Sequence, residues 1–438
     1  MPNDKMPFVV LRSNDNCFLD IIRACATAGI TTIPVIFTWE GAEWISESSV
    51  YFKNAFTICN PADNEDKAVE DLCRVGYQLL TMYGERLMII PSSDTNQSFL
   101  QNNFDSFRPF FLQMGAADFD KPCWKQLRKD TSSVLLKKTG VEIPLTYSVC
   151  SVLDIDNAVN NITYPCIYKP VIKDLVSSFQ NTHGKKKAIE CYTPEELRIC
   201  LKKEMENGYE LVVQEKIEFD SLEDEVSCYV YADKKGVIRL ISGQHKVLEY
   251  PHPYGTGVAS VPYYRDEFFD IAKRVVAAYK WRGFIGIELM KNRKTGRWVV
   301  IETNLRPWIS INYQASIGYN YLEALYKDIY GGYDESKDFC MFKDNLTTRI
   351  NLTMLINMKI AETNSIENAL SNTIAFIENK KGQIIFSYYV DNDKNPGLAE
   401  KEKLIFRLKE YDLAIDRIYE LVEQNNAILS RIKTDEIG

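Results

Sequence analysis

Hydrophobic and polar positions repeat with two different periods along this chain, and the switches between them mark its elements. Short apolar runs at Phe8–Leu11, Ile33–Phe37 and Leu87–Ile90 predict strands. The spacing of Phe18–Ala28 and Asp66–Tyr83 predicts helices between them. Strand and helix in alternation predict a parallel sheet, and such sheets bind ligands beyond the carboxyl ends of their strands. Pro91-Ser92-Ser93-Asp94 closes the third of these strands and opens a helix. Ser and Asp there also serve as ordinary N-caps.

Further on, a linker-like helix is predicted over Trp124–Thr139, ahead of Gly140 and Pro144. A strand then ends in Tyr168-Lys169-Pro170, where proline keeps the backbone extended and lysine is a point charge suited to phosphate. Leu211–Glu218 starts as an apolar strand and turns polar, so its hinge offers backbone N–H and C=O groups to a ligand. Val226–Ala232 and Val237–Gly243 predict antiparallel strands. Gln244–Val261 is expected to be a loop, with Gly255-Thr256-Gly257 a weak phosphate signal.

The period-2 pattern is sharpest in Gly283–Pro307. Ile285–Met290 and Trp298–Thr303 predict two strands around a turn at Lys294-Thr295-Gly296. Alternation puts Glu302 and Asn304 on one face, and Glu288 on the partner strand can join them. Two carboxylates and an amide oxygen suit Mg²⁺, which is held by a few carboxylates plus substrate phosphates. Arg306 follows at once with a fork of donors for phosphate or carboxylate.

Near the C-terminus the period changes again. Leu404, Leu408, Tyr411, Ile415, Ile418, Val422, Asn425, Leu429 and Ile432 alternate steps of four and three, a seam of roughly four heptads broken once by a polar residue. This helix either docks on its own body, as the flanking Ile405, Phe406, Leu421 and Ile428 favour, or pairs with a second copy as a homodimer.

Composition narrows the classes. The 438 residues are long enough for several domains. A net charge of −8 argues against a general nucleic-acid binder. No apolar run is long enough for a membrane span, and Met1–Ser13 has no signal-like apolar stretch. The eleven cysteines form no C-x-x-C and no zinc spacing, which fits a reducing, cytoplasmic setting. His183, His245 and His252 are the only histidines, too few to support a zinc enzyme or a histidine-based triad.

Lys169 after a strand, the hinge Gln214-Glu215-Lys216-Ile217, and Glu288 followed by Glu302-Thr303-Asn304-Leu305-Arg306 occur in the order found in the ATP-grasp superfamily, which residues 1–345 resemble. Within it, Gly243–Pro253, Gly255–Gly257 and Ser387–Pro396 are similar to carboxylate–amine ligases of the D-aspartate ligase kind. The resemblance implies an α/β (α+β) ATP-grasp fold. Its parts would be a Rossmann-like domain at 1–118, two ATP-grasp lobes at 119–209 and 210–345, and a C-terminal region with a long helix at 346–438. It implies ATP as cofactor, with Lys129 and Lys169 on the phosphates. Gln214, Glu215 and Ile217 would meet adenine, and Asp224 or Glu225 the ribose. Glu288, Glu302 and Asn304 would hold two Mg²⁺ ions, with Mn²⁺ as a substitute, and Arg306 would face the transferred phosphoryl group.

The chain departs from the pattern twice. Val171–Thr182 lacks the glycines of a phosphate-covering loop, so Ser177, Ser178 or a lysine of Lys185–Lys187 is expected to stand in, Lys187 among them. Gly286 stands where some ligases carry an arginine. The implied activity is amide formation between a small carboxylate, such as an amino acid, and an amine, through an acyl phosphate. His245, Lys246 and Arg306 are candidates for substrate carboxylates. Carboxylation or phosphoryl transfer, and a non-catalytic ATP-binding assembly protein, are the alternatives.

Overall fold

The computed structural model describes residues 5–39, 41, 43–116, 128–171, 176–184, 186–253, 255–332 and 347–435. Lys185, the side chain of Ser177 and the start of the expected helix at 124–127 lie outside the described residues.

The first sheet contains β1 (Phe8–Arg12), β2 (Thr32–Phe37), β3 (Phe56–Ile58), β4 (Leu87–Pro91) and β5 (Phe111–Gln113), ordered β3-β2-β1-β4-β5. All its pairings are parallel. Every residue of β1 is buried, as a strand covered on both faces requires. Phe8 and Val10 enter one core and Val9 and Leu11 the other. Chain order reverses between β1 and β4, so the crevice beyond their carboxyl ends is a topological switch point.

After the two-residue β6 (Gly115–Ala116) comes a sheet of β7 (Thr146–Val149), β8 (Cys166–Pro170), β9 (Ile189–Cys191) and β10 (Leu211–Glu215). Its order is β7-β10-β8-β9, antiparallel throughout. The largest sheet is built from β11 (Glu225–Ala232), β12 (Ile238–Tyr250), β13 (Thr256–Pro262), β14 (Trp281–Lys291), β15 (Trp298–Asn304), β16 (Thr348–Ile350) and β17 (Ile384–Phe386). They run β15-β14-β11-β12-β13-β16-β17, with β6 beside β14. Strands on both sides of residue 345 therefore belong to one sheet.

Two expectations need correction. Gln244–Val261 is not one loop: it is the second half of β12 and most of β13, with only 251–255 between them. Register shifts at Lys246/Leu248 and Leu248/Glu249 interrupt the alternation that would have marked it. Gly243 is needed within β12, because a Cβ there would lie 2.2 Å from the Tyr263 carbonyl oxygen.

The C-terminal seam is also not one helix. It is two, Asn395–Arg407 and Asp412–Asp435, parted at Leu408–Tyr411. No Gly or Pro marks the break, so the heptad spacing ran through it unnoticed. Of the two packings open to the seam, docking on the chain's own body is the one displayed. Leu404, Leu408, Ile415, Ile418 and Val422 are buried with Ile384 and Phe386 of β17. Asn425 is fully buried because β17 needs its backbone satisfied. Its Oδ1 accepts from the N–H groups of Gly382 (2.8 Å) and Ile384 (3.2 Å), and its Nδ2 donates to the Ile384 carbonyl (2.7 Å).

Candidate active site

Directly opposed residues of an antiparallel ladder share a face. Across the large sheet Glu302 lies opposite Glu288, and Asn304 opposite Gly286. Glu288 lies opposite Ser227, and Ser227 opposite Gln244. One row along, Lys246 lies opposite Ser260, and Ser260 opposite Arg349. One face of this sheet is therefore a polar floor. The other face, with Val226, Cys228, Ile285 and Ile287, is core.

The floor is a charge cluster. Ser227 Oγ donates to Glu288 Oε2 at 2.7 Å. Burial pushes the Glu288 carboxyl above its ordinary pKa; Ser227 and Lys246 oppose this, while the Glu302 and Glu225 carboxylates add to it. Lys246 Nζ donates to Glu225 and to Glu249 Oε2 (3.2 Å). Burial pulls the Lys246 ammonium down, but Glu225, Glu249 and Glu288 outweigh it and hold it above its usual value. Lys187 Nζ reaches the Gly255 carbonyl at 3.4 Å. Burial and Lys246 depress its pKa against the pull of Glu302, Glu288 and Glu225.

Two carboxylates forced together in partly dry surroundings repel, and a divalent cation relieves such a pair. The oxygen-only set of Glu288, Glu302 and Asn304 fits Mg²⁺. Among the described residues no three His, Cys, Asp or Glu side chains form a metal cluster.

The second sheet supplies the opposite wall. Tyr168 and Val213 turn into its core, so Lys169 and Gln214 share the other face. Lys129, at the start of the helix Lys129–Lys138, is buried, and its Nζ donates to the Pro170 carbonyl at 2.8 Å. Lys129 and Gln214 line a narrow cleft with Val300, Ile301, Glu302 and Thr303. Gln214 Nε2 donates to Thr146 Oγ1 at 3.0 Å, while Gln214 Oε1 is buried with no donor among the described residues. β10 ends at Glu215, and 216–219 leave regular structure, as a hinge requires. The Glu215 N–H is already given to the Leu145 carbonyl (2.9 Å). Ile217 packs with Met290 and Val299.

The third wall is the switch point. Ser13 N–H donates to Ser92 Oγ (3.1 Å), which donates in turn to Asn96 Oδ1 (3.1 Å). Ser93 is the N-cap of the helix Asp94–Asn102. Asp94 does more than assist the cap: its Oδ2 accepts from Arg306 Nη2 at 2.6 Å. Arg306 Nη1 is spent on the Pro307 carbonyl, and its Nε–H is buried with no acceptor among the described residues.

The structure thus brings Glu288, Glu302, Asn304, Glu225 and Lys246 to one floor, with Lys129 and Gln214 in the cleft beside Glu302; Lys187 reaches the Gly255 carbonyl, Lys169 shares the Gln214 face of the second sheet, and Arg306 pairs with Asp94. Asp224 sits in a 3-10 turn and accepts from the Asp220 N–H at 3.1 Å. It does not bring His245 there. Alternation turns His245 to the opposite face from Lys246, and its ring packs edge-on against Tyr263 with centroids 5.3 Å apart. The Asp94–Arg306 and Glu225–Lys246 pairs join residues 212 and 21 positions apart and had no local signal.

No family model matches the chain. It is 28% identical to D-aspartate ligase of Enterococcus faecium (strain Aus0004) over 149 residues, 33% of this chain and 34% of that one. The match thus spans about a third of that relative's length. It is similar in structure to N5-carboxyaminoimidazole synthetase from Staphylococcus aureus, with a TM-score of 0.55 and 14% identity over 83% of this chain and 89% of that one. It is also similar to the biotin carboxylase domain of 2-oxoglutarate carboxylase from Hydrogenobacter thermophilus, solved with MgADP and bicarbonate. There the TM-score is 0.51 and the identity 16% over 75% and 70% of the two chains. The chain has the ATP-grasp fold, α/β with the parallel and antiparallel sheets described above. Among the described residues no helix is long and apolar enough to cross a membrane.

Proposed function

We propose that the protein is an ATP-dependent carboxylate–amine ligase. It would convert a carboxylate to an acyl phosphate, pass the acyl group to an amine, and release ADP and phosphate. The observation that carries this reading is the convergence of Glu288, Glu302 and Asn304 on the floor beneath a cleft lined by Lys129 and Gln214, with Arg306 beside it. The partial likeness to a D-aspartate ligase supports the amide-forming chemistry and an amino acid as one substrate.

Each residue has work to do in that reaction. The hinge at Glu215–Ile217 would hold adenine, with the undonated Gln214 Oε1 accepting from its amino group. Lys129, Lys169 and Lys187 would neutralise the phosphates, and Glu225 would meet the ribose. Mg²⁺, held by Glu288, Glu302 and Asn304, would supply charge neutralisation at the transferred phosphoryl group. Phosphoryl transfer needs positioning and electrostatic stabilisation rather than a protein nucleophile. Arg306 is oriented by Asp94 and keeps one donor for an oxyanion. Burial of the cleft keeps water from the activated acid. In the same reading, the sheet of β1–β5 forms the substrate-side domain and the two antiparallel sheets form the ATP-binding lobes.

Hydroxylamine tests the intermediate. With Mg²⁺-ATP, hydroxylamine and a pool of amino acids and small acids, a hydroxamate and ADP are expected. ADP formed with bicarbonate alone, and no hydroxamate from any acid, would instead favour carboxylation.

A further inference from the structure

Two buried charges lie beside the site and belong to none of the roles above. Arg349 on β16 is 6% exposed, and Asp20, on the helix Asp15–Thr27, is 4% exposed. Neither side chain makes a hydrogen bond or an ion pair among the described residues. They nevertheless feel each other: burial pushes the Asp20 carboxyl up to about 7, and the nearby cations of Arg349 and Arg23 oppose it. Arg23 is not available to Asp20, since all its nitrogens are engaged by Asp393 and by the carbonyls of Ser387 and Tyr388.

Both charges adjoin the reaction centre. Arg349 closes the row of the polar floor that runs through Ser260 to Lys246. The Tyr229 hydroxyl feels both the Glu288 carboxylate and the Arg349 guanidinium. It accepts from Gln244 Nε2 at 2.8 Å. On the helix, Asp20 is one turn beyond Cys17, whose thiol donates to the carbonyl of Pro307, the residue after Arg306. A buried unpaired charge is costly, and folds keep such groups where a ligand completes them.

We infer that Arg349 and Asp20 are the two poles of an α-amino-acid site, the guanidinium taking the substrate carboxylate and the Asp20 carboxylate its ammonium. This rests on the ligase reading for which substrate is bound, and it names a zwitterion as that substrate's class. Arg349 offers the bidentate fork that a carboxylate fits. Asp20 offers acceptor oxygens alone. A molecule with only one of the two poles would leave the other charge buried and unmatched.

The test uses the full chain with a non-hydrolysable Mg²⁺-ATP analogue. Titrations compare glycine and the D- and L-forms of alanine, aspartate, glutamate and lysine with their deaminated acids and decarboxylated amines. One amino acid is expected to bind about 30-fold or more tighter than either of its truncated forms, the loss typical of a buried charge left unpaired. Arg349→Gln should erase the advantage over the decarboxylated amine, and Asp20→Asn the advantage over the deaminated acid. Nucleotide affinity should hold in both variants. Their melting temperatures should equal or exceed that of the parent, because neither side chain bonds to the protein. Retention of both advantages in both variants, or a fall in melting temperature with equal loss for all ligands, would overturn the site. Amino-acid binding of the expected pattern without ADP formation in any amine pool would leave the site standing and overturn the ligase reading. ADP formation with unchanged KM in both variants would do the reverse.

Discussion

Glu302→Gln is expected to abolish ADP formation, a loss on the order of 10³-fold or more. Removal of a single preorganised donor costs about 10²–10³-fold in other enzymes, and here a ligand carboxylate is lost. The variant should still fold. Glu302 faces Glu288 across β14 and β15, and taking away one of two adjacent carboxylates relieves their repulsion. Steady-state ADP release together with a melting curve checks both halves. An active variant, or one that fails to fold, would remove Glu302 from the metal site.

Arg23→Ala is expected to destabilise the protein by about 3–5 kcal/mol, the usual cost of breaking a buried ion pair from one side. Arg23 is 1% exposed and Asp393 likewise 1%. Arg23 Nε and Asp393 Oδ2 are 2.8 Å apart. Nη1 donates to the Ser387 carbonyl (2.9 Å), and Nη2 to the carbonyls of Tyr388 (2.7 Å) and Asp393 (2.8 Å). Asp393 also accepts from Ser49 Oγ (2.7 Å) and the Val50 N–H (3.0 Å). Truncation would strand a carboxylate and three carbonyls in the interior. Denaturant unfolding measures it, and a loss below about 1 kcal/mol, the range of surface pairs, would show that the clasp is not what joins these segments.

The clasp lies within Ser387–Pro396. The segment carries the anion and carbonyls that fasten the first helix of the chain to its last third. Local patterning made the polar floor of the large sheet legible. Glu288, Glu302 and Asn304 lie on a hairpin whose alternation fixes their face, and the neighbouring apolar residues show which face is core. β1, β2 and β4 were equally plain, since strands buried on both faces read as continuous apolar runs.

What stayed hidden depends on contacts across long stretches of chain. β12 and β13 carry bulges that break their period, so they read as a loop. The break between the last two helices has no Gly or Pro to announce it. His245 and Lys246 were both candidates for a substrate carboxylate, and register turns them to opposite faces of β12. Arg349 and Asp20 are 329 positions apart in the numbering, on elements with no common pattern, and only burial without partners draws attention to them.

The central claim is tested most directly by Mg²⁺-ATP turnover against pooled amino acids and amines, with nucleotides and adducts identified by mass. A ligase gives ADP together with a new condensed mass, and both vanish when the amine pool is withheld. AMP as the nucleotide product, or ADP formed at the same rate without any amine, would contradict it.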